Sequence, residues 1–147
     1  FVMVNLSKFS GSLAELMEER NLSVKDLAKA VGVKSSNLYY YLRAERLPSV
    51  ESIVALANYF ACSTDFLLGL TEENRPETYK SCPPFSQRLD FLIEYFGVST
   101  YKVYTQTNIS KARFFDWKRG KYEPSLDNII KLAEVFDCSV DFVLGRV

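Results

Sequence analysis

The chain contains no histidine. That absence removes the commonest general base, the usual proton switch near neutral pH and the commonest zinc ligand together. Cysteine is nearly as scarce. Cys62, Cys82 and Cys138 are an odd number without C-x-x-C spacing, so neither a disulfide framework nor a zinc site is suggested, and free thiols in a reducing cytoplasm are expected. Six glycines and five prolines leave no room for a collagen-like repeat or a low-complexity segment. No apolar run approaches the ~20 residues of a spanning helix. The opening stretch Phe1-Val2-Met3-Val4 is too short for a signal-peptide core and has no basic flank. A soluble, cytoplasmic protein with no membrane partner is expected. There is no phosphate loop of the G-x-x-x-x-G-K type, no serine-nucleophile motif and no metal constellation, and Glu18 and Glu94 read as ordinary surface charges. Neither an enzyme nor a cofactor is therefore expected. A charge excess is lacking too: 18 basic residues balance 18 acidic ones, so a charged partner must be met by a local patch.

What is present is an ordinary globular composition, 48% hydrophobic and 24% charged in 147 residues, enough for one domain or two small ones. A repeat decides between them. Residues 9–69 align without a gap on 85–145 at an offset of 76, with 19 identities that include Phe9/Phe85, Leu13/Leu89, Leu16/Leu92, Ser23/Ser99 and Arg43/Arg119. The endings match best, CSTDFLLG against CSVDFVLG. Two copies of one small domain are expected, 9–70 and 85–147, joined by a linker over 71–84. The polar run Thr71-Glu72-Glu73-Asn74-Arg75-Pro76 and the helix-stopping Pro83-Pro84 mark that linker as a flexible to semi-extended tether.

Apolar spacing within a copy is helical throughout. Leu13, Leu16 and Met17, matched by Leu89, Leu92 and Ile93, follow the i, i+3, i+4 stripe of a first helix. Ser23, three residues before Asp26, caps a short second helix carrying Leu27 and Ala28. Gly32 supplies the positive φ of a tight turn. A third helix over 34–42 buries Leu38 and Tyr41 behind Val33. Pro48-Ser49 opens a fourth with Ile53, Leu56, Ala57 and Phe60 on one face, and Ser63 caps a fifth, closed by Gly69. No segment alternates with period two, so an all-α protein with five helices per copy is predicted.

A short helix, a glycine turn and a third helix in about 60 residues form a helix-turn-helix arrangement. The first copy carries Leu22-Ser23, Leu27-Ala28, Gly32-Val33, Leu38, Pro48-Ser49, Ile53, Leu56-Ala57 and Ser63-x-Asp65-x-Leu67-Leu68-Gly69. The second keeps Ser99, Val103, Ile109, Trp117-Lys118-Arg119-Gly120-Lys121, Pro124-Ser125, Leu132-Ala133 and Ser139-x-Asp141-x-Val143-Leu144-Gly145. The chain thus resembles a tandem duplication of the phage-repressor and Cro (XRE-type) DNA-binding domain, with a lambda-repressor-like fold in each copy. The resemblance implies that the third helix enters the major groove while neighbouring residues meet phosphates. On that basis the base-facing candidates are Ser35, Ser36, Asn37, Tyr39 and Tyr40 in the first copy and Lys111, Ala112, Arg113, Phe115 and Asp116 in the second. The phosphate-facing candidates are Lys34, Arg43 and Arg46, then Thr100, Lys118, Arg119 and Lys121. The sequence departs from the family pattern in four places. Tyr104 stands for a small residue between the two helices, Asn108 for the turn glycine, Val24 for a polar phosphate contact and Ala44 for the loop glycine.

None of the 19 identities falls within 24–42 or its partner window 100–118. The inward positions there stay apolar, as in Leu27/Val103, Val33/Ile109, Leu38/Phe114 and Tyr41/Trp117, while the surfaces change. The copies are therefore expected to read unlike half-sites, giving double-stranded DNA with an asymmetric site. Local charge is +2 over 34–46 and +4 over 110–122, which makes the second copy the expected stronger binder. Tyr39 and Tyr40 suit thymine methyls and sugars, or equally an exposed aromatic patch for another protein or a second chain in a homodimer. The resulting expectation is a sequence-specific transcriptional regulator, repressor-like, of a bacterium, phage or mobile element. With both copies and the linker counted, no small-molecule effector is indicated. The competing reading is a protein-interaction module, antirepressor or antitoxin-like. The acidic first helix with Glu15, Glu18 and Glu19 favours it for the first copy, and the basic third helix opposes it for the second.

Overall fold

The computed structural model describes residues 4–74 and 78–147. Phe1 to Met3 of the opening stretch, and Arg75 to Glu77 of the expected linker, lie outside the described residues. Among the described residues there are ten α-helices and no strand, and the chain divides between residues 77 and 78 into two compact units.

The first unit holds α1 (Leu6–Glu19), α2 (Val24–Val31), α3 (Ser35–Leu42), α4 (Val50–Phe60) and α5 (Thr64–Leu67). Short polar side chains start nearly every helix by accepting a backbone N–H that the first turn leaves without a helical partner. Asn5 accepts from Ser7 and Lys8, Ser23 from Asp26, Ser49 from Ser52 and Ser63 from Phe66. The apolar stripes then meet in one core of Phe9, Leu13, Leu16, Met17, Leu27, Leu38, Tyr41, Ile53, Leu56, Phe60 and Leu67. Arg20, just past α1, closes the far end of α4. Its guanidinium donates to the Tyr59 and Phe60 carbonyls at 3.1 and 3.2 Å and lies 5.1 Å from the Phe60 ring centroid.

The second unit repeats the order with α6 (Phe85–Phe96), α7 (Thr100–Gln106), α8 (Lys111–Lys118), α9 (Leu126–Phe136) and α10 (Val140–Leu144). Its core is more aromatic, with Phe85, Phe114, Trp117 and Phe136 buried among Leu89, Leu92, Val103, Ile129 and Leu132. Phe96 occupies the place of Arg20 and stacks on Phe136 at 5.0 Å, so ring packing replaces the cation and its carbonyl bonds. The backbone is conserved more strictly than the side chains. Ten described residues take the left-handed conformation, and they fall in five matched pairs: Asn21 and Gly97, Gly32 and Asn108, Ala44 and Gly120, Ala61 and Asp137, Gly69 and Gly145.

Part of the stretch expected to be a tether lies against the second unit. The Lys80 N–H donates to the Arg146 carbonyl at 2.6 Å, and the Arg146 guanidinium lies 4.2 Å from the Tyr79 ring centroid. Gly145 is needed where this strap passes: a Cβ there would stand 2.8 Å from Pro83 Cδ and 2.8 Å from Arg88 Cδ. Beneath the strap, Arg146 and Asp141 form a fully buried ion pair at 2.5 Å. The three cysteines are unpaired with one another, Cys62 buried, Cys138 half-buried and Cys82 exposed.

Candidate nucleic-acid interface

Each unit presents its third helix on a short, rigid turn. In the first, Gly32 closes α2 at φ 71° and donates its N–H to the Ala28 carbonyl at 3.0 Å, after which α3 starts at once. Leu38 and Tyr41 anchor the inner face of α3, with Tyr41 5.6 Å from the Phe9 ring. That leaves Ser35, Ser36 and Tyr39 exposed, and Asn37 and Tyr40 half-buried. Tyr39 is 49% exposed on this helix of eight residues.

Two of the three cations around α3 are engaged within the unit. Arg43 faces Glu45 with both ends of its guanidinium, at 3.0 and 3.3 Å. The Arg46 guanidinium lies 3.9 Å from the Tyr40 ring centroid, with Arg43 on the same ring at 5.2 Å. Lys34 is exposed at the N-cap and offers no side-chain cap. Because the Arg43–Glu45 pair is solvent-exposed, it is worth about 0–1 kcal/mol and tunes the local charge without locking it.

In the second unit the turn is made by Asn108, left-handed at φ 57°, with the Ile109 N–H donating to the Tyr104 carbonyl at 3.0 Å. Asparagine tolerates this conformation better than most residues, so the turn survives the loss of glycine. Tyr104 is half-buried and packs 5.7 Å from Phe114 and 5.5 Å from Tyr101, forming an aromatic seam at the positions that Lys25, Ala28 and Leu38 hold in the first unit. The buried Thr107 hydroxyl donates to the Val103 carbonyl at 2.7 Å and finishes α7.

Ser110 caps α8 by accepting the Arg113 N–H, and Phe114 and Trp117 bury its inner face. Lys111, Ala112 and Arg113 therefore stand exposed on its first turn, while Phe115 and Asp116 are half-buried. Asp116 is turned onto Arg119 at 2.6 Å. Lys118 approaches Asp90 at 3.7 Å, and Lys121 lies 5.4 Å from the Tyr122 ring. Thr100, the first residue of α7, is half-buried behind the Ser99 cap. The structure thus gathers Lys111 and Arg113 at one end of α8 and Lys118, Arg119 and Lys121 at the other. Two partners of these cations are not foreseeable from the sequence, Asp90 and Tyr122. The i, i+3 spacing of Asp116 and Arg119 is the available signal for that pair. Asp90 carries no such signal, because α6 is remote in sequence.

A Helix-turn-helix family model matches residues 13–67 and again 104–143, together more than half of the chain. The chain belongs to the helix-turn-helix family. Within this helix-turn-helix protein the second match begins at Tyr104 and leaves out α6 and the start of α7. A curated relative, an uncharacterized HTH-type transcriptional regulator YobD of Bacillus subtilis, is 29% identical over 65 residues, or 44% of this chain. The aligned region spans 58% of that relative's length. No solved structure matches. Among the described residues no helix is long and apolar enough to cross a membrane, and no group of His, Cys, Asp or Glu side chains could hold a metal ion.

Proposed function

We propose that the protein is a sequence-specific double-stranded DNA-binding transcriptional regulator that reads an asymmetric site. The observation that carries this reading is α8, with Lys111 and Arg113 exposed on its first turn and Arg119 and Lys121 exposed just beyond its end. Such a helix meets base edges with its N-terminal side chains and phosphates with the flanking cations. The second repeat supplies most of the affinity, since its third helix and the loop after it carry a local charge of +4 over 110–122 against +2 over 34–46. Unlike surfaces on α3 and α8 support unlike half-sites.

For the first repeat a second reading has its own support. The exposed Tyr39 ring on a helix whose following Arg43 is paired with Glu45 suits a protein contact, to a second chain or to another partner, better than a phosphate backbone. Fluorescence anisotropy against a random duplex pool at two salt concentrations, followed by sequencing of bound DNA, separates the readings. Enrichment of one asymmetric motif, with affinity falling by roughly 0.9 log unit per log unit of salt for each phosphate neutralised, is the expected result. Arg119→Ala then weakens all sequences alike, while Lys111→Ala also relaxes preference at one base pair. A flat profile with no enrichment overturns the reading and moves the assignment to the protein-interaction module.

A further inference from the structure

We infer that the strap formed by Tyr79 and Lys80 on Arg146 sets the largest spacing between two DNA subsites that one chain can read at once; the inference rests on the DNA-binding reading above. The anchor of the strap is specific to the second repeat. Asp65 and Gly69 of the first repeat match Asp141 and Gly145, but Leu70 stands where Arg146 does. Arg146 joins three contacts in one place. Its guanidinium pairs with buried Asp141 at 2.5 Å and lies against Tyr79 at 4.2 Å, and its carbonyl accepts the Lys80 N–H at 2.6 Å. Placing two charges out of water is a poor way to gain stability, and its better-attested use is to fix one arrangement among several. Here the fixed arrangement is the course of the chain entering the second repeat, held also by Pro83 against Gly145.

The consequence follows from covalent lengths alone. The first repeat holds the chain up to Leu70, whose N–H donates to the Asp65 carbonyl at 2.8 Å. From Leu70 to Lys80 is ten residues, a reach of at most ~36 Å. Without the strap the next anchored residue is Pro83, thirteen residues on, with a reach of at most ~47 Å. The strap therefore withdraws ~11 Å of tether, about three base pairs of duplex at ~3.4 Å each. Simultaneous engagement multiplies affinity about 10²–10⁴-fold and vanishes where the linker cannot span the sites, so a spacing limit is the expected signature.

The test uses the full chain and a series of duplexes carrying the two selected subsites at increasing separation. The release variant is Tyr79→Ala with Lys80→Pro, which removes the ring and the N–H donor while leaving the Arg146–Asp141 pair and every α8 residue in place. Trp117 fluorescence and unchanged affinity for a duplex with one second-repeat subsite show that the variant is folded. The wild type is expected to fall about 10²-fold or more, to single-subsite affinity, at a limiting separation. The variant is expected to hold on for up to about three base pairs beyond it. Coincident limits in the two proteins overturn the inference while leaving the DNA reading intact. Absence of binding to every duplex overturns both, and is told apart from a failed strap by fluorophores on α4 and α9. Without DNA, their distance distribution is expected to be broader in the variant, and equal widths would overturn the strap as a restraint.

Discussion

Arg43 of the first repeat and Arg119 of the second occupy the same position, and each is held by an acid that comes from the opposite direction. Arg43 reaches forward to Glu45 in the loop, whereas Arg119 reaches back to Asp116 on the helix. The aromatic partner moves in the opposite sense: Tyr40 sits on the helix under Arg46, and Tyr122 sits in the loop beside Lys121. Each repeat thus spends one helix position and one loop position on an acid and a ring. Only the placement differs, and that placement decides what faces outward. In the first repeat Glu45 offsets Arg43 inside the loop, and Arg46 lies over the Tyr40 ring. In the second the acid is drawn onto the helix and the loop keeps Lys121 exposed. Duplication has preserved a backbone with five matched left-handed positions and has redistributed charge over it.

The comparison presumes that the two units hold together separately, and the sharpest way to break it is to damage one core at a time. Leu38 and Phe114 are matched, fully buried residues on α3 and α8. Leu38→Ala should cost the first unit about 2–5 kcal/mol, and Phe114→Ala should cost the second about 3–5 kcal/mol. Trp117, the one tryptophan of the chain, lies in the second unit. Thermal unfolding followed by its fluorescence should shift only for Phe114→Ala, while far-ultraviolet circular dichroism registers both. A Trp117 transition displaced equally by Leu38→Ala would mean that the repeats unfold as one.

Much of this architecture is legible in the order of amino acids alone. Helix order, caps at Ser23, Ser49 and Ser63, and the inward faces follow from period and capping chemistry, which act within a few residues. The left-handed turn at Asn108 is legible for the same reason. Three features are not. The covering of Tyr40 by Arg46 and the approach of Lys118 to Asp90 depend on how a loop folds back and on which helix lies alongside. The strap is hidden because Tyr79, Lys80 and Pro83 have the polar and proline-rich look of a tether, and their partner Arg146 is more than sixty residues away. Local rules place elements, and side-chain partners remote in sequence are set by packing.

A charge swap tests the difference in loops directly. Glu45→Lys gives the first repeat the residue that the second carries as Lys121, and it frees Arg43 at the same time. Affinity for DNA should rise, and the salt dependence should steepen by about 0.9–1.8 in log–log slope, the contribution of one or two further phosphates. Titration by anisotropy at several salt concentrations reads this. An unchanged slope would show that the first repeat does not meet the backbone at all and would favour its protein-binding reading.

A smaller effect sharpens the backbone comparison. Ala44 is left-handed at φ 57°, where its counterpart Gly120 takes φ 73° without strain. Left-handed backbone costs a residue with a Cβ roughly 1–2 kcal/mol. Ala44→Gly should accordingly stabilise the first unit by about 1 kcal/mol, and Gly120→Ala should destabilise the second by a similar amount. A Cβ at Gly120 meets only Ser86, at ordinary contact distances of 3.6 and 3.9 Å, so the cost there is conformational and not steric. Each change should move the melting temperature of its own unit by about 4–8 °C. Opposite shifts are expected, and shifts of the same sign would sever the correspondence of the two loops.

The smallest expected effect concerns the strap, whose anchor Arg146 is replaced by Leu70 in the first repeat. Cys82 is exposed as a residue, yet desolvation raises the pKa of its thiol and outweighs the nearby Arg146 guanidinium, which lowers it. A raised pKa leaves less thiolate at a given pH, and the thiolate is the nucleophile. Alkylation of Cys82 by iodoacetamide, followed residue by residue with mass spectrometry, should therefore be slower than that of a fully solvated thiol, and its rate should climb to a plateau at higher pH. Lifting the strap with Tyr79→Ala and Lys80→Pro hydrates the sulfur, so the rate at neutral pH should increase and the profile should move to lower pH. A profile identical in the two proteins would place the Cys82 environment in the second unit itself and not in the strap.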